Sequence, residues 1–173
     1  MRRLLYTLSA AAVSIFILTV GAARPVHGEA AIASSLGEDH ISNATRRELA
    51  RARRATARYH DIEKALEDGY VDINVFIPQM GYHYLRPSIL DGTFDIEKPE
   101  LLVYALTPNS RCLRLVAVEY AVPLDQSPTA PEGFTGEADV WHANEEFGLW
   151  TLHVWIWFPN PEGVFAELNP RVR

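Results

Sequence analysis

From Val71 onward the apolar residues of this chain recur at every second position, in runs bounded by turn-forming residues. A period of two puts alternate side chains on opposite faces of a strand, so this stretch is committed to a sheet. Val71, Ile73, Val75 and Ile77 alternate with Asp72, Asn74 and Phe76, and Pro78 closes the run. Met80–Leu85 is a second extended stretch, Leu101–Leu106 a third and Arg111–Val122 a long fourth, with Thr107-Pro108-Asn109-Ser110 as the hairpin between the last two. Val140–Ala143 reads as a short strand and Leu149–Phe158 as a strong one. Between these runs there is no helical period, which parallel βαβ units would need for their crossovers. The expectation is an α+β domain with five to six mostly antiparallel strands, forming a curved sheet or a small β-barrel.

Ahead of the sheet, Leu49, Ala52, Thr56, Tyr59, Ile62 and Leu66 recur at three- and four-residue steps, the mark of an amphipathic helix that packs on the sheet. Thr45 and Glu48 fit a capping box at its start, and Gly69 can take the left-handed conformation that ends it. Arg47, Arg51, Arg54 and Arg58 form a stripe on the opposite side, read as a solvated helix face. The longest loop, Leu124–Asp139, contains three prolines and two glycines, and loops of that length are often functional flaps. Asn160-Pro161 is expected to cap a turn of helix reaching Leu168.

Residues 1–28 do not share either pattern. Arg2 and Arg3 precede an apolar run from Leu4 to Val20, and small residues follow, as in a cleaved signal peptide. Residues 29–44 form a flexible lead-in, and 45–173 a single α+β domain. The chain carries 16 basic and 22 acidic residues, a net charge of −6. The first 28 positions hold Arg2, Arg3 and Arg24 and no acid, so the remainder is more acidic still. That balance excludes a nucleic-acid partner, because phosphate neutralisation needs a basic surface. Together these features point to an exported protein, periplasmic or extracellular, with no stable membrane insertion after signal cleavage. The single cysteine, Cys112, is expected to be buried as a small hydrophobe.

Strand parity selects the residues that carry chemistry. Leu113, Leu115, Ala117, Glu119 and Ala121 share one face of the fourth strand, so Glu119 stands among apolar neighbours and loses hydration. On the last strand, Leu149, Thr151, His153, Trp155 and Trp157 share a face, while His83 lies mid-strand and His142 follows the long loop. His83, Glu119, His142 and His153 are the ligand types preferred by divalent transition metals, and they are the candidate metal set. The competing account makes each histidine a hydrogen-bonded core or edge residue and pairs Glu119 with Arg86 or Arg114. Tyr82, Tyr84, Trp141, Trp155 and Trp157, with Phe134 from the loop, are candidates to line a ligand pocket; the alternatives are core packing or a contact between subunits. No nucleophile elbow, phosphate loop or cysteine–histidine motif occurs, and no catalytic residue is assigned.

At Met80-Gly81-Tyr82-His83-Tyr84, at Leu152-His153-Val154-Trp155 and at Asn160-Pro161-Glu162-Gly163 the chain resembles a family of exported bacterial proteins without an assigned activity. The resemblance covers about residues 54–173 and implies an extracytoplasmic, bacterial setting. It gives no residue a role. Three functions follow from the residues: binding of a small ligand or metal in a His/Glu/Trp-lined pocket, a metal- or His/Glu-dependent enzyme, or a structural protein that forms homo-oligomers.

Overall fold

Six antiparallel strands pair in the order β1-β2-β3-β4-β6-β5, where β1 is Val71–Ile77, β2 Gly81–Leu85, β3 Leu101–Ala105, β4 Arg114–Pro123, β5 His142–Asn144 and β6 Leu149–Val154. The chain is seen in a computed structural model that describes residues 41–107 and 112–172. The segments read as signal peptide and lead-in therefore lie outside the described residues up to position 40, as does most of the turn at Thr107–Ser110. The sheet is open, with β1 and β5 as its edges, and curls into a half-barrel. The alternation seen in the sequence thus yields antiparallel pairing throughout, because each strand folds back beside its predecessor except where β6 inserts between β4 and β5.

Two irregularities set which side chains meet. In β1, Asp72 pairs with Tyr84 and Phe76 with Tyr82, so β1 spends two extra residues on that span. Asn74 takes φ 57° there, a conformation asparagine tolerates, and its amide donates to Asp72 Oδ1 at 2.8 Å. In β4, Val103 pairs with Ala117 but Tyr104 with Leu115, leaving Val116 as a bulge. The bulge overturns the parity expected from sequence. Leu115 joins Val118 and Tyr120 in one cluster, whereas Val116 and Ala117 join Val103 and Ala105 in the other. The Val116 carbonyl turns out of the ladder and accepts from the amides of Trp157 and Phe158, at 3.3 and 3.0 Å.

The helical region departs from expectation at both its start and its middle. Helix α1 (Asn43–Thr56) is capped by Ser42, whose hydroxyl accepts from Thr45 N at 3.0 Å. Thr45 is free of the capping role and its hydroxyl donates to the Thr135 carbonyl. Glu48 likewise takes the amide and hydroxyl of Thr135 at 2.8 and 2.6 Å instead of closing a capping box. A 3-10 turn (Ala57–His60) and a new cap at Asp61 then separate α1 from α2 (Ile62–Glu67). The break resets the helical phase, so Ala65 is buried and Leu66 is 44% exposed. Gly69, at φ 93°, ends α2 as foreseen: Tyr70 N reaches Ala65 O and Gly69 N reaches Leu66 O, the paired bonds of a Schellman motif.

The two faces of the sheet hold different clusters. One joins Tyr84, Leu102, Tyr104, Val118, Tyr120, Leu152 and Val154 with Ala52, Tyr59, Ala65, Phe134 and Phe165. The other is smaller: Val103, Ala105, Val116, Ala117, Trp155 and Val172. After Val154 the chain runs in turns to its last described residues, where a short helix was expected. Asn169, fully buried, ties this tail to the β1–β2 turn by donating its amide to Gln79 O at 2.9 Å. Cys112 is exposed, contrary to expectation, because β4 begins only at Arg114. Among the described residues no helix is long and apolar enough to cross a membrane.

Candidate metal centre

Three residues from three different strands converge on one point. Glu119 of β4 and His153 of β6 are direct cross-strand partners. His83 of β2 pairs with Val103 of β3, two residues along β3 from the Leu101–Glu119 rung, so it must reach across β3. Strands two apart in a flat sheet would be separated by roughly 9.5 Å. The curl closes that gap: His83 Nε2 lies 3.6 Å from Glu119 Oε2, and His153 Nε2 lies 3.5 Å from Glu119 Oε1. One ligand atom from each of the three falls within 4.8 Å of the other two.

All three are buried, at 3%, 5% and 4% exposure for His83, Glu119 and His153, so water does not satisfy them. The bulged β1 strand fixes the His83 ring through a 3.3 Å contact between its Nδ1 and the Val75 carbonyl. A carbonyl can only accept, so Nδ1 carries the hydrogen and the Nε2 lone pair faces Glu119. This is the outer-shell arrangement that orients a ligating histidine. His153 differs: both of its ring nitrogens are buried without a hydrogen-bond partner.

The electrostatics follow from burial. Desolvation, with added repulsion from Glu100 and Glu167, pushes the Glu119 carboxyl up to about 8. Desolvation, with His83 and His142 adding, holds His153 down at about 3. His83 is lowered for the same first reason, against its backbone contacts at Val75 and Gly81. Two neutral imidazoles therefore face one carboxyl group, and lone pairs outnumber hydrogens at their meeting point. A proton or a cation relieves that mismatch.

The centre lies on the wall of a cavity of about 410 Å³. Ile73, Val75 and Ile77 enter it from β1, at one edge of the half-barrel, and Phe147, Leu149 and Thr151 from the β5–β6 side. Glu167 and Leu168 of the C-terminal tail complete the lining.

The remaining sequence candidates fall elsewhere. His142 pairs with Thr151, placing it on the same face as His153, but it is not part of the close group of three. Tyr84 is buried in the helix-side cluster, with Tyr82, Trp141 and Trp157 packed against it, because strand alternation turns Tyr82 and Tyr84 away from His83. Trp155 sits in the smaller cluster and donates from Nε1 to Ala166 O at 2.6 Å. The strand ends at Val154, so the extrapolated parity fails for Trp157, whose Nε1 donates to Thr56 Oγ1 at 3.2 Å. Phe134 plugs the core between Phe94, Tyr120 and Phe165 instead of covering a pocket. None of these aromatics lines the cavity beside His83. Glu119 meets the two histidines and not an arginine, while Arg86 lies over the Tyr70 ring at 5.9 Å. Sequence reading overlooked the β1 lining, although the alternation at Ile73, Val75 and Ile77 already marked one apolar face. It also overlooked Glu167, which only the return of the tail brings into place.

Family models, curated proteins and solved structures were compared with this chain, and none of them matches it.

Proposed function

We propose that this protein binds a divalent transition metal through His83, Glu119 and His153, and presents that metal to a small molecule in the adjoining cavity. The observation that carries the reading is the convergence of three buried acceptor groups, one of them a histidine with both nitrogens unpartnered. Ligand atoms about 2.0–2.1 Å from a tetrahedral metal stand roughly 3.3 Å apart, close to the 3.6 and 3.5 Å that separate Glu119 from the two imidazoles, and all three groups offer atoms within 4.8 Å of one another. Two histidines and one carboxylate are a donor set suited to zinc and to ferrous iron, and both leave coordination positions open. Residues 1–28, read as an export signal, support a site of action outside the cytoplasm, and a secreted protein whose N terminus begins after residue 22 or 28 is the expected outcome of N-terminal sequencing.

Elemental analysis of purified protein, with and without chelator treatment, tests the centre. The expected result is a single equivalent of metal per chain, lost in H83A and H153A variants. At a hundredfold excess over the dissociation constant, zinc should stabilise the chelated protein by about 2.7 kcal/mol. No bound metal and no thermal shift with zinc, manganese, iron or copper would overturn the reading.

The open position favours a second reading, a metal-dependent enzyme, since metal-bound water is a nucleophile at neutral pH. Turnover of small esters or amides that stops with chelator would move the protein into that class.

A further inference from the structure

We infer that the ligand of this cavity is a small apolar monocarboxylate, whose head completes the coordination of the metal and whose tail lies along the β1 side. The inference rests on the metal reading above and adds the chemistry of the occupant.

Charge selects the head. A divalent ion held by one carboxylate and two neutral imidazoles leaves a net single positive charge. The three ligands are no more than 5% exposed, and an uncompensated charge in such a place is costly. A monoanionic donor cancels it, whereas a neutral donor does not. Glu167 also lines the cavity and its charge reaches Glu119, but it is exposed, so water and salt weaken it below that of an anionic donor bound directly to the ion. Polar groups for a second carboxylate oxygen are present in the same lining. Thr151 offers a hydroxyl, and Asn144 uses its Oδ1 to accept from Phe147 N at 3.2 Å, leaving the Nδ2 hydrogens to donate.

Shape and lining select the tail. Beside the centre, the lining supplied by β1, β2 and the segments next to them is Ile73, Val75, Ile77, Met80, Leu85 and Leu90, which offers side-chain hydrocarbon and no charge. A volume of about 410 Å³ accommodates about a dozen water-sized groups, enough for a chain of eight carbons and its carboxylate. Phe147 borders the cavity while 48% exposed, and so stands at its mouth, where an entering tail would cover it.

The test uses purified protein in two states, chelated and zinc-loaded, with metal content measured on the same samples. Acetate, butanoate, hexanoate and octanoate are titrated by calorimetry beside 1-octanol. The expected result is octanoate binding at least tenfold tighter to the zinc-loaded protein than to the chelated one. Affinity should rise by about fourfold per methylene, the worth of a buried CH2 group, and octanol should bind more weakly than octanoate. Protein that takes up zinc but binds octanoate no better than the chelated form overturns this proposal and leaves the metal centre standing. Acetate equal to octanoate, or octanol equal to octanoate, overturns it as well. Protein that takes up no zinc overturns the metal reading, and this one with it.

Discussion

The two faces of the sheet differ in how they treat their most buried polar groups. On the helix-side face the three most deeply buried phenols all have partners, although Trp141 Nε1 does not. Tyr70 donates to Pro99 O at 2.7 Å, Tyr104 to Tyr59 O at 2.6 Å and Tyr120 to Ile96 O at 2.7 Å. Each of these bonds pins a loop or helix end to the sheet, and burial raises all three phenols so that they remain donors. On the cavity face, Glu119 stands 3.5–3.6 Å from two imidazoles without a hydrogen bond to either, and His153 has no hydrogen-bond partner for either nitrogen. The first arrangement stabilises the fold, because each desolvated hydroxyl recovers a hydrogen bond. The second costs stability in the absence of a ligand. That cost falls on a carboxyl group and imidazoles, groups that a cation can satisfy, and so marks the cavity face as specialised for something other than folding.

Truncation should expose the contrast most strongly on the helix side. Leu152 is fully buried in the larger cluster, so L152A should lose about 2–5 kcal/mol in urea unfolding, through lost transfer energy and the cavity left behind. A loss below 1 kcal/mol would mean that this face is loosely packed. On the other face the sign should reverse. H153L removes two unsatisfied nitrogens at similar volume, and should stabilise the chelated protein by about 1–3 kcal/mol while abolishing metal uptake. Destabilisation by that substitution would show that His153 has a structural partner after all, and the comparison would fail.

The pH dependence of stability sharpens the same point through Glu100, which is buried beside the sheet and accepts from Ala121 N at 2.9 Å. Burial pushes its carboxyl up to about 8, from 4.5. The folded protein therefore keeps a proton that the unfolded chain has lost, so the contribution is complete below about pH 4.5 and disappears as pH rises towards 8. In chelated protein, E100Q should flatten this fall by up to about 1.4 kcal/mol per pH unit, with Glu119 supplying what slope remains. Unchanged slopes in urea titrations from pH 5 to 8 would remove Glu100 from the account. The smallest effect belongs to a single satisfied phenol: Y104F should cost about 1 kcal/mol, by leaving the Tyr59 carbonyl without its donor.

Much of the centre was legible in strand parity. His83 and Glu119 sit inside their strands and His153 one residue before the end of β6, so the side-chain direction of each is fixed by neighbours of the same strand. Parity also held the information that Tyr82 and Tyr84 point away from His83, and the aromatic pocket fails for that reason. It misled where a strand was irregular. Val116 shifts the register by one residue, which moves Leu115 to the other face, and the early end of β6 at Val154 separates Trp157 from His153. A bulge or a strand end depends on what the backbone meets across the sheet, and here the freed Val116 carbonyl is taken by residues forty positions later. His142 shows the limit in another way: the right face did not bring it into the group of three.

By itself the sequence determined the elements of this protein: where the helical period yields to alternation at Gly69, which strands follow, and which side chains share a strand face. Those outcomes are local, set by φ/ψ preferences and by apolar spacing within a few residues. Tertiary structure alone decided that β2, β4 and β6 curl far enough for His83 to reach Glu119 across β3, and that β1 bends to hold its ring. Curl and register come from packing two faces of unequal bulk against different neighbours, a sum over the whole sheet that no single stretch of chain contains.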